Sequence, residues 1–293
     1  MIIKNNEIDI AHFQYIAPLY KCCKEIITTH DILFRDFPQL FPFSYRITKD
    51  IFFKHSARRA DLLFTVSEYS RASLSKYYGI NMDDIFITPN AVSDDFYSVP
   101  GAEVDAIKDK YHLNKYILYV SRIEPRKNHI NLVKAYVNLS LWNQDIKLVF
   151  VGKETIPHRE YNRFYNNLSK EIQGNIITIS QLAYKNLLAI YKGCLLFVYP
   201  SIAEGFGIPP LEAATAGVTC LCSKNTAMSD FDFFGDGFFD PLNINELEQK
   251  IHDFLNGAFK IDTSSIQSIV HKRYNWNTIA DNFLKTIKTK FQY

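Results

Sequence analysis

Long hydrophobic runs are missing from this chain: stretches such as Leu195-Leu196-Phe197-Val198-Tyr199 reach strand length and stop. A membrane-spanning helix needs about 20 apolar residues, so none is expected. An excess of one charge is missing too, since 33 Lys and Arg face 31 Asp and Glu, a formal balance of +2. That balance leaves no footprint for a general nucleic-acid binder, and no nucleic-acid partner is expected. Cysteine is scarce and odd in number: there are 5, with Cys22 and Cys23 adjacent and Cys220 and Cys222 one residue apart. This is not the even, spaced set of a disulfide framework. Cys220-Leu221-Cys222 lies in an apolar run without a second Cys or His pair at ligand spacing, so it reads as packing and no metal is expected. The opening residues, Met1 to Glu7, turn polar too early for a secretory leader. These absences point to a cytoplasmic protein. Internal repeats and low-complexity segments are absent as well.

What is present is ordinary in amount and regular in order. With 293 residues, 47% apolar and 22% charged, the chain is long enough for two domains with buried cores. Strand-length apolar runs occur near Ile8–Ala11 and at Glu25–Thr29, Leu62–Val66 and Ile85–Thr88. A turn-rich passage, Ser93 to Gly101, reads as a linker. The runs resume at Tyr116–Val120, Lys147–Val151, Ile176–Ile179, Leu195–Tyr199 and Val218–Cys222. Between them lie helix-length stretches: Ser67 to Tyr78 closed by Gly79, Asn128 to Leu141, Arg159 to Ile172, Lys185 to Lys192, and one starting near Pro209. Near-continuous apolar strands alternating with helices indicate parallel sheets in doubly wound α/β domains.

Two passages carry chemistry. In Tyr199-Pro200-Ser201-Ile202-Ala203-Glu204-Gly205-Phe206-Gly207-Ile208-Pro209-Pro210-Leu211-Glu212, a buried strand ends in a glycine-containing loop and two prolines preset a helix start. The helix N-terminus offers N–H groups and a positive dipole end to an anion. Glu204 in the loop and Glu212 a turn into the helix are placed to face the same crevice. A plain strand–helix turn with two surface glutamates is the blander alternative. The second passage, Ser121-Arg122-Ile123-Glu124-Pro125-Arg126-Lys127-Asn128, follows the first strand after the linker. Arg122, Arg126 and Lys127 together offset the charge that a diphosphate brings, without a divalent metal. A solvated basic turn is the alternative here.

Taken together, Ser121-Arg122-x-x-x-Arg126-Lys127-Asn128 and Glu204-Gly205-Phe206-Gly207-x-Pro209-x-x-Glu212 resemble the retaining GT-B glycosyltransferases of family four. Ser67-Glu68-Tyr69-Ser70, Pro89-Asn90-Ala91-Val92 and Val198-Tyr199-Pro200-Ser201 also match that family's pattern. The resemblance implies two Rossmann-like doubly wound domains facing a cleft. It implies metal-independent, retaining transfer of a hexose, with a lean towards mannose, from a nucleotide-diphosphate sugar to a glycan or lipid-linked acceptor in polysaccharide assembly. No cofactor beyond that donor is implied. Arg122 and Lys127 match the pair holding the donor diphosphate, and the amides of Gly207 and Ile208 complete the cradle. Glu204 matches the carboxylate near the donor sugar and Glu212 the one on the ribose hydroxyls. Thr28-Thr29-His30-Asp31 resembles the strand-end histidine of the first domain, which makes His30 a catalytic candidate. His12, at another strand end, is weaker.

The resemblance also exposes a shortfall. The expected division is a partial acceptor-side domain over residues 1–100, a nucleotide-sugar domain over 101–273, and a C-terminal segment, 274–293, crossing back as a helix. Each strand-plus-helix unit takes about 30 residues, so the first domain looks truncated. A small sheet with an open parallel edge would then be covered by a second copy of the chain or a separate polypeptide. Two further signals are weaker. Asp230-Phe231-Asp232 has a D-x-D form but reads as surface carboxylates. Lys49, Lys54, His55, Arg58 and Arg59 flank Ile51-Phe52-Phe53 on a helix, for which an ordinary solvated face is preferred over peripheral contact with an anionic membrane. The alternatives to a transferase are a non-catalytic nucleotide-sugar-binding subunit and a glycoside hydrolase using Glu204 and Glu212.

Overall fold

A computed structural model describes residues 6–258 and 260–292. Residues 1–5 of the polar opening lie outside them. The chain forms two compact units: the first takes residues 1–91, 203–206 and 276–293, and the second 92–202 and 207–275.

In the first unit, four parallel strands, β1 (Ile10–Gln14), β2 (Lys24–Thr28), β3 (Leu62–Thr65) and β4 (Ile85–Ile87), lie in that order. The first strand starts later than the apolar run near Ile8 suggests, because its pairing with β2 begins at Ile10 opposite Lys24. Successive residues of a strand point to opposite faces, so each face acquires its own core. Ile27 and Leu63 pack with Phe53 and Ala57 of helix α1 (Phe43–Arg59) and with Leu74 and Tyr78 of α2 (Glu68–Tyr78). Ile26, Leu62 and Phe64 face the other way, onto Phe283 and Ile287 of the C-terminal helix (Trp276–Phe291). Helix α2 is capped by Ser67, whose Oγ accepts the Ser70 N–H at 3.1 Å, and it stops at Gly79 in the left-handed region, φ 66°. At the far end of α1, Arg59 Nη2 donates to both oxygens of the buried Glu25 on β2, at 2.8 and 2.7 Å. The pair pins the helix end to the sheet.

The second unit has six parallel strands. In chain order they are β5 (Lys115–Val120), β6 (Ile146–Val151), β7 (Ile176–Ile179), β8 (Leu196–Tyr199), β9 (Cys220–Ser223) and β10 (Phe238–Phe239). In space the order is β10-β9-β8-β5-β6-β7. The chain builds outward from β5 and then returns to add β8 on its other side, with Ile117 opposite Leu196. Ligands in such sheets bind outside the strand C-termini where the order reverses, which here is between β5 and β8.

The covering helices are α3 (Gly101–Tyr111), α4 (His129–Asn138), α5 (Arg159–Asn166), α6 (Lys170–Gly174), α7 (Tyr184–Gly193), α8 (Ile208–Thr215), α9 (Ile244–Leu255) and α10 (Thr263–Arg273). The C-terminal helix is α11. Two sequence expectations change. The helix read from Arg159 to Ile172 is broken into α5 and α6, with Ser169 capping the second by accepting the Ile172 N–H. The linker passage holds a helical turn, Asp94–Phe96, whose Phe96 is buried edge-on against Tyr191 at 5.4 Å; it is packed, and α3 starts directly at Gly101.

His129 opens α4 completely buried, with its ring 4.6 Å from that of Tyr119 and 4.9 Å from that of Phe150. Burial, reinforced by the Lys127 charge, pushes its pKa down from 6.5 to about 3. Below pH 6.5 the unfolded chain takes up a proton that the folded chain refuses, so stability falls as pH falls through that window. His12, His30 and His158 shift in the same direction. His129 alone should remove about 2 kcal/mol between neutral pH and pH 5. Urea midpoints at the two pH values measure this, and His129→Gln should flatten the difference by that amount. An unchanged difference would refute it.

Candidate functional site

At the switch point of the second unit, two loops are tied together. Beyond β5 the Ser121 N–H still bonds to Val151, and the chain turns through Pro125–Lys127. Tyr119 Oη donates to the Lys127 carbonyl at 2.7 Å, fixing that turn. The Ile202 N–H, past the end of β8, donates to the Arg126 carbonyl at 2.9 Å. Lys127 is buried, and its Nζ donates to Tyr199 Oη at 3.3 Å while lying 5.7 Å from that ring's centre. Arg122 is exposed. Arg126, the third basic residue of this turn, pairs within the turn itself. Its Nη2 donates at 2.6 Å to the buried Glu124, which also accepts from Thr155.

Gly207 precedes α8 with φ 103°, a conformation that side chains rarely adopt. Pro209 and Pro210 follow within the first turn. Having no N–H of their own, they leave the Gly207 and Ile208 amides as the donors of this helix start. On the same helix, half-buried Glu212 accepts from Tyr191 Oη at 2.6 Å. Burial raises the Glu212 pKa and the Tyr191 hydroxyl opposes that. One carboxylate oxygen is thereby held by the protein.

Glu204 and His30 belong to the first unit, since residues 203–206 are counted with it. Glu204 is buried. The next carbonyl, of Gly205, accepts from Ser67 Oγ at 2.7 Å and Ser70 Oγ at 3.3 Å, so the residues that cap α2 also grip this loop. A Cβ on Gly205 would stand 2.6 Å from Asp31 Cβ. Asp31 follows His30 and Gly205 follows Glu204, so this contact brings the two candidates into one neighbourhood. The His30 ring stacks on Tyr15 at 5.2 Å, and its buried Nε2 has no hydrogen-bond partner among the described residues. Burial lowers the His30 pKa against the opposing pull of Asp31, which keeps the imidazole neutral at pH 7.

The weaker candidates have partners of their own within the fold. His12 bonds Thr28 Oγ1 at 2.8 Å and packs on Phe283. Asp232 accepts from Arg273 at 2.8 Å, while Phe231 is buried against Tyr274. Cys220 and Cys222 are buried in β9, where burial pushes the Cys220 thiol well up. Sequence reasoning missed Tyr191 and Tyr199, whose partners lie far along the chain; it read the Ser67 to Ser70 passage as a cap without its second partner, Gly205.

The family model "Glycosyl transferases group 1" matches residues 102–267, more than half of the chain, and "Glycosyltransferase Family 4" matches residues 1–96. This chain belongs to the group 1 glycosyltransferases. The glycosyltransferase fold is GT-B-like: the Anabaena protein HepE, solved in complex with UDP-glucose, superposes with a TM-score of 0.75 at 18% identity, covering 91% of this chain and 72% of that one. The O-antigen chain mannosyltransferase B of Escherichia coli is 26% identical over 90% of this glycosyltransferase chain and 70% of its own length. The serotype-specific mannosyltransferase WbdA of Escherichia coli is 27% identical over 76% of this chain. The chain spans only 28% of that relative's length. Among the described residues, no helix is long and apolar enough to cross a membrane.

The tight approach at Gly205 gives a test. Gly205→Ala in this glycosyltransferase should cost about 1–3 kcal/mol, as overpacking does, and lower the urea midpoint. Adding Asp31→Gly should return part of the loss. A Gly205→Ala variant of wild-type stability would show that the contact is not tight.

Proposed function

We propose that this glycosyltransferase moves a sugar, with a lean towards mannose, from a nucleotide-diphosphate donor to a hydroxyl of a glycan or lipid-linked acceptor, in polysaccharide assembly on the cytoplasmic side. The observation that carries this reading is the junction of the β5 and β8 loops, where Lys127, Arg122 and the α8 start supply positive groups at the strand ends. Departure of a nucleoside diphosphate creates negative charge, and fixed positive groups favour that step most. In this reading Arg122 and Lys127 meet the diphosphate together with the Gly207 and Ile208 amides. Glu212, with one oxygen engaged by Tyr191, accepts from the ribose hydroxyls through the other. Glu204 orients the sugar as an electrostatic and positioning group, and neutral His30 serves as a hydrogen-bonding group beside it. Transfer then proceeds with retention of anomeric configuration and without a divalent metal. The relatives named as mannosyltransferases support the lean to mannose, and the HepE complex with UDP-glucose supports a nucleotide-sugar donor.

A second reading, in which the chain works only with a second copy or another polypeptide, is favoured by one observation. Among the described strands, β1 pairs only with β2 and leaves its other edge open. Size-exclusion with light scattering beside a transfer assay separates the two: an efficient monomer defeats the second reading.

Arg122→Ala and Lys127→Ala should each weaken donor binding by about 1.5–3 kcal/mol, roughly tenfold to a hundredfold. Calorimetric titration with GDP and UDP measures this, and wild-type affinity in both variants would overturn the site. Steady-state kinetics should separate the glutamates: Glu212→Gln mainly raises the donor KM, whereas Glu204→Gln mainly lowers kcat. Activity should survive EDTA; loss on chelation with rescue by Mn²⁺ would point to a metal-dependent reaction.

A further inference from the structure

The helix α1 departs from an ordinary solvated face. Phe43, Ile47 and Ile51 follow one another at four-residue spacing, one stripe of a helix, and are 69%, 46% and 61% exposed. Phe52 and Tyr45 are exposed as well, but they lie on the other side of the helix, nine and two positions from Phe43. Such a stripe normally turns inward, but the buried side of this helix is already occupied by Phe53, Ser56 and Ala57. At the C-terminal end of the helix, Arg59 donates to the carbonyls of Pro18 and Leu19, and Lys21 Nζ returns a bond to the Arg59 carbonyl. Those bonds fix a loop tip whose Leu19 and Tyr20 are among the most exposed apolar side chains of the chain, at 67% and 79%.

Charge is concentrated in the same place. The helix carries Arg46, Lys49, Lys54, Arg58 and Arg59 against one acid of its own, Asp50, in a chain whose net balance is only +2. Arg59 is offset by the buried Glu25 and Arg58 donates one N–H to the Tyr78 carbonyl, which leaves four cations without a carboxylate from another element among the described residues. Asp50 is itself held by Arg35. A shallow cavity of about 440 Å³ is lined by Asp50, Ile51, Lys54, His55, Arg58 and Arg59, so the basic groups border the apolar stripe directly. Lys54 and Arg58, eleven and fifteen positions after Phe43, fall on the stripe's side of the helix, and Arg46 lies 5.4 Å from the Phe43 ring centre.

We propose that α1 and the Leu19–Tyr20 tip dock this protein onto an anionic phospholipid surface. Apolar side chains enter the acyl boundary while Lys and Arg stems reach lipid phosphates, an arrangement suited to a helix lying in the interface plane. A second copy of the chain fits poorly, because a two-fold contact would set this positive helix against itself. A purely ionic ligand leaves the apolar stripe without purpose. The inference stands apart from the sugar-transfer reading, since it uses none of the residues assigned to the donor.

Flotation with unilamellar vesicles tests it on the full chain. The chain should float with vesicles of equimolar phosphatidylcholine and phosphatidylglycerol, remain behind with phosphatidylcholine alone, and detach as salt rises. Lys54→Gln should lower the partition coefficient about fivefold, the share of one basic residue at an anionic surface. The double variant Ile47→Glu with Ile51→Glu should lower it at least about tenfold. Both variants replace outward-facing residues, so their urea midpoints should match the wild type. Three outcomes would overturn the proposal: no flotation with either vesicle, equal flotation with both, or full binding retained in both variants. It is also overturned if light scattering shows a dimer that the Ile47→Glu, Ile51→Glu variant splits, since the face is then a contact between copies.

Discussion

The pairing of β5 with β8 is the constraint on which the second unit turns. Two strands that are distant in sequence lie side by side, Ile117 against Leu196, and every other strand is added outside them. Because the sheet is parallel, both strands release their following loops at the same edge. The Lys127 turn and the Ser201–Ile202 segment are neighbours for that reason alone. Their mutual bonds, from Ile202 to Arg126 and from Lys127 to Tyr199, then fix what topology has brought together. Placing a lysine there costs desolvation, and the hydroxyl and ring face of Tyr199 offset part of that cost.

The first unit solves a different problem, holding a loop carbonyl and a histidine in fixed relation. Ser67 serves two elements through one oxygen. It accepts the Ser70 N–H to start α2 and donates its own proton to Gly205. A helix cap and a loop clamp thus share one atom, so neither can shift without the other. The missing side chain at Gly205 is the steric half of the same arrangement, since it alone admits Asp31.

Much of this was legible in the sequence, and for a physical reason. Parallel strands covered on both sides must be apolar throughout, as in β8, where all four residues are buried; such runs stand out without knowledge of their partners. Gly207, Pro209 and Pro210 were legible because their conformational limits are local. What stayed hidden depends on partners remote in sequence. Tyr191 looks like any helix residue until Glu212 is placed beside it, and nothing local to Arg126 announces that it pairs with the buried Glu124. The two-residue strand β10 carries too short a pattern to be read at all. Exposure was equally invisible. The composition of α1 suggested a solvated helix, and only its buried face showed that the apolar stripe points outward.

Consecutive prolines at the start of α8 bear on the thermodynamics of binding as well as on its geometry. Ordinary helix ends fray, and a ligand that needs their amides must first pay to order them. The pyrrolidine rings of Pro209 and Pro210 hold φ near its helical value whether or not anything is bound. The amides of Gly207 and Ile208 are therefore presented by a turn whose conformational entropy was already surrendered when the chain folded. Association with an anion at this terminus should carry a smaller entropic penalty than at a helix begun by flexible residues, and more of the interaction enthalpy should survive as affinity.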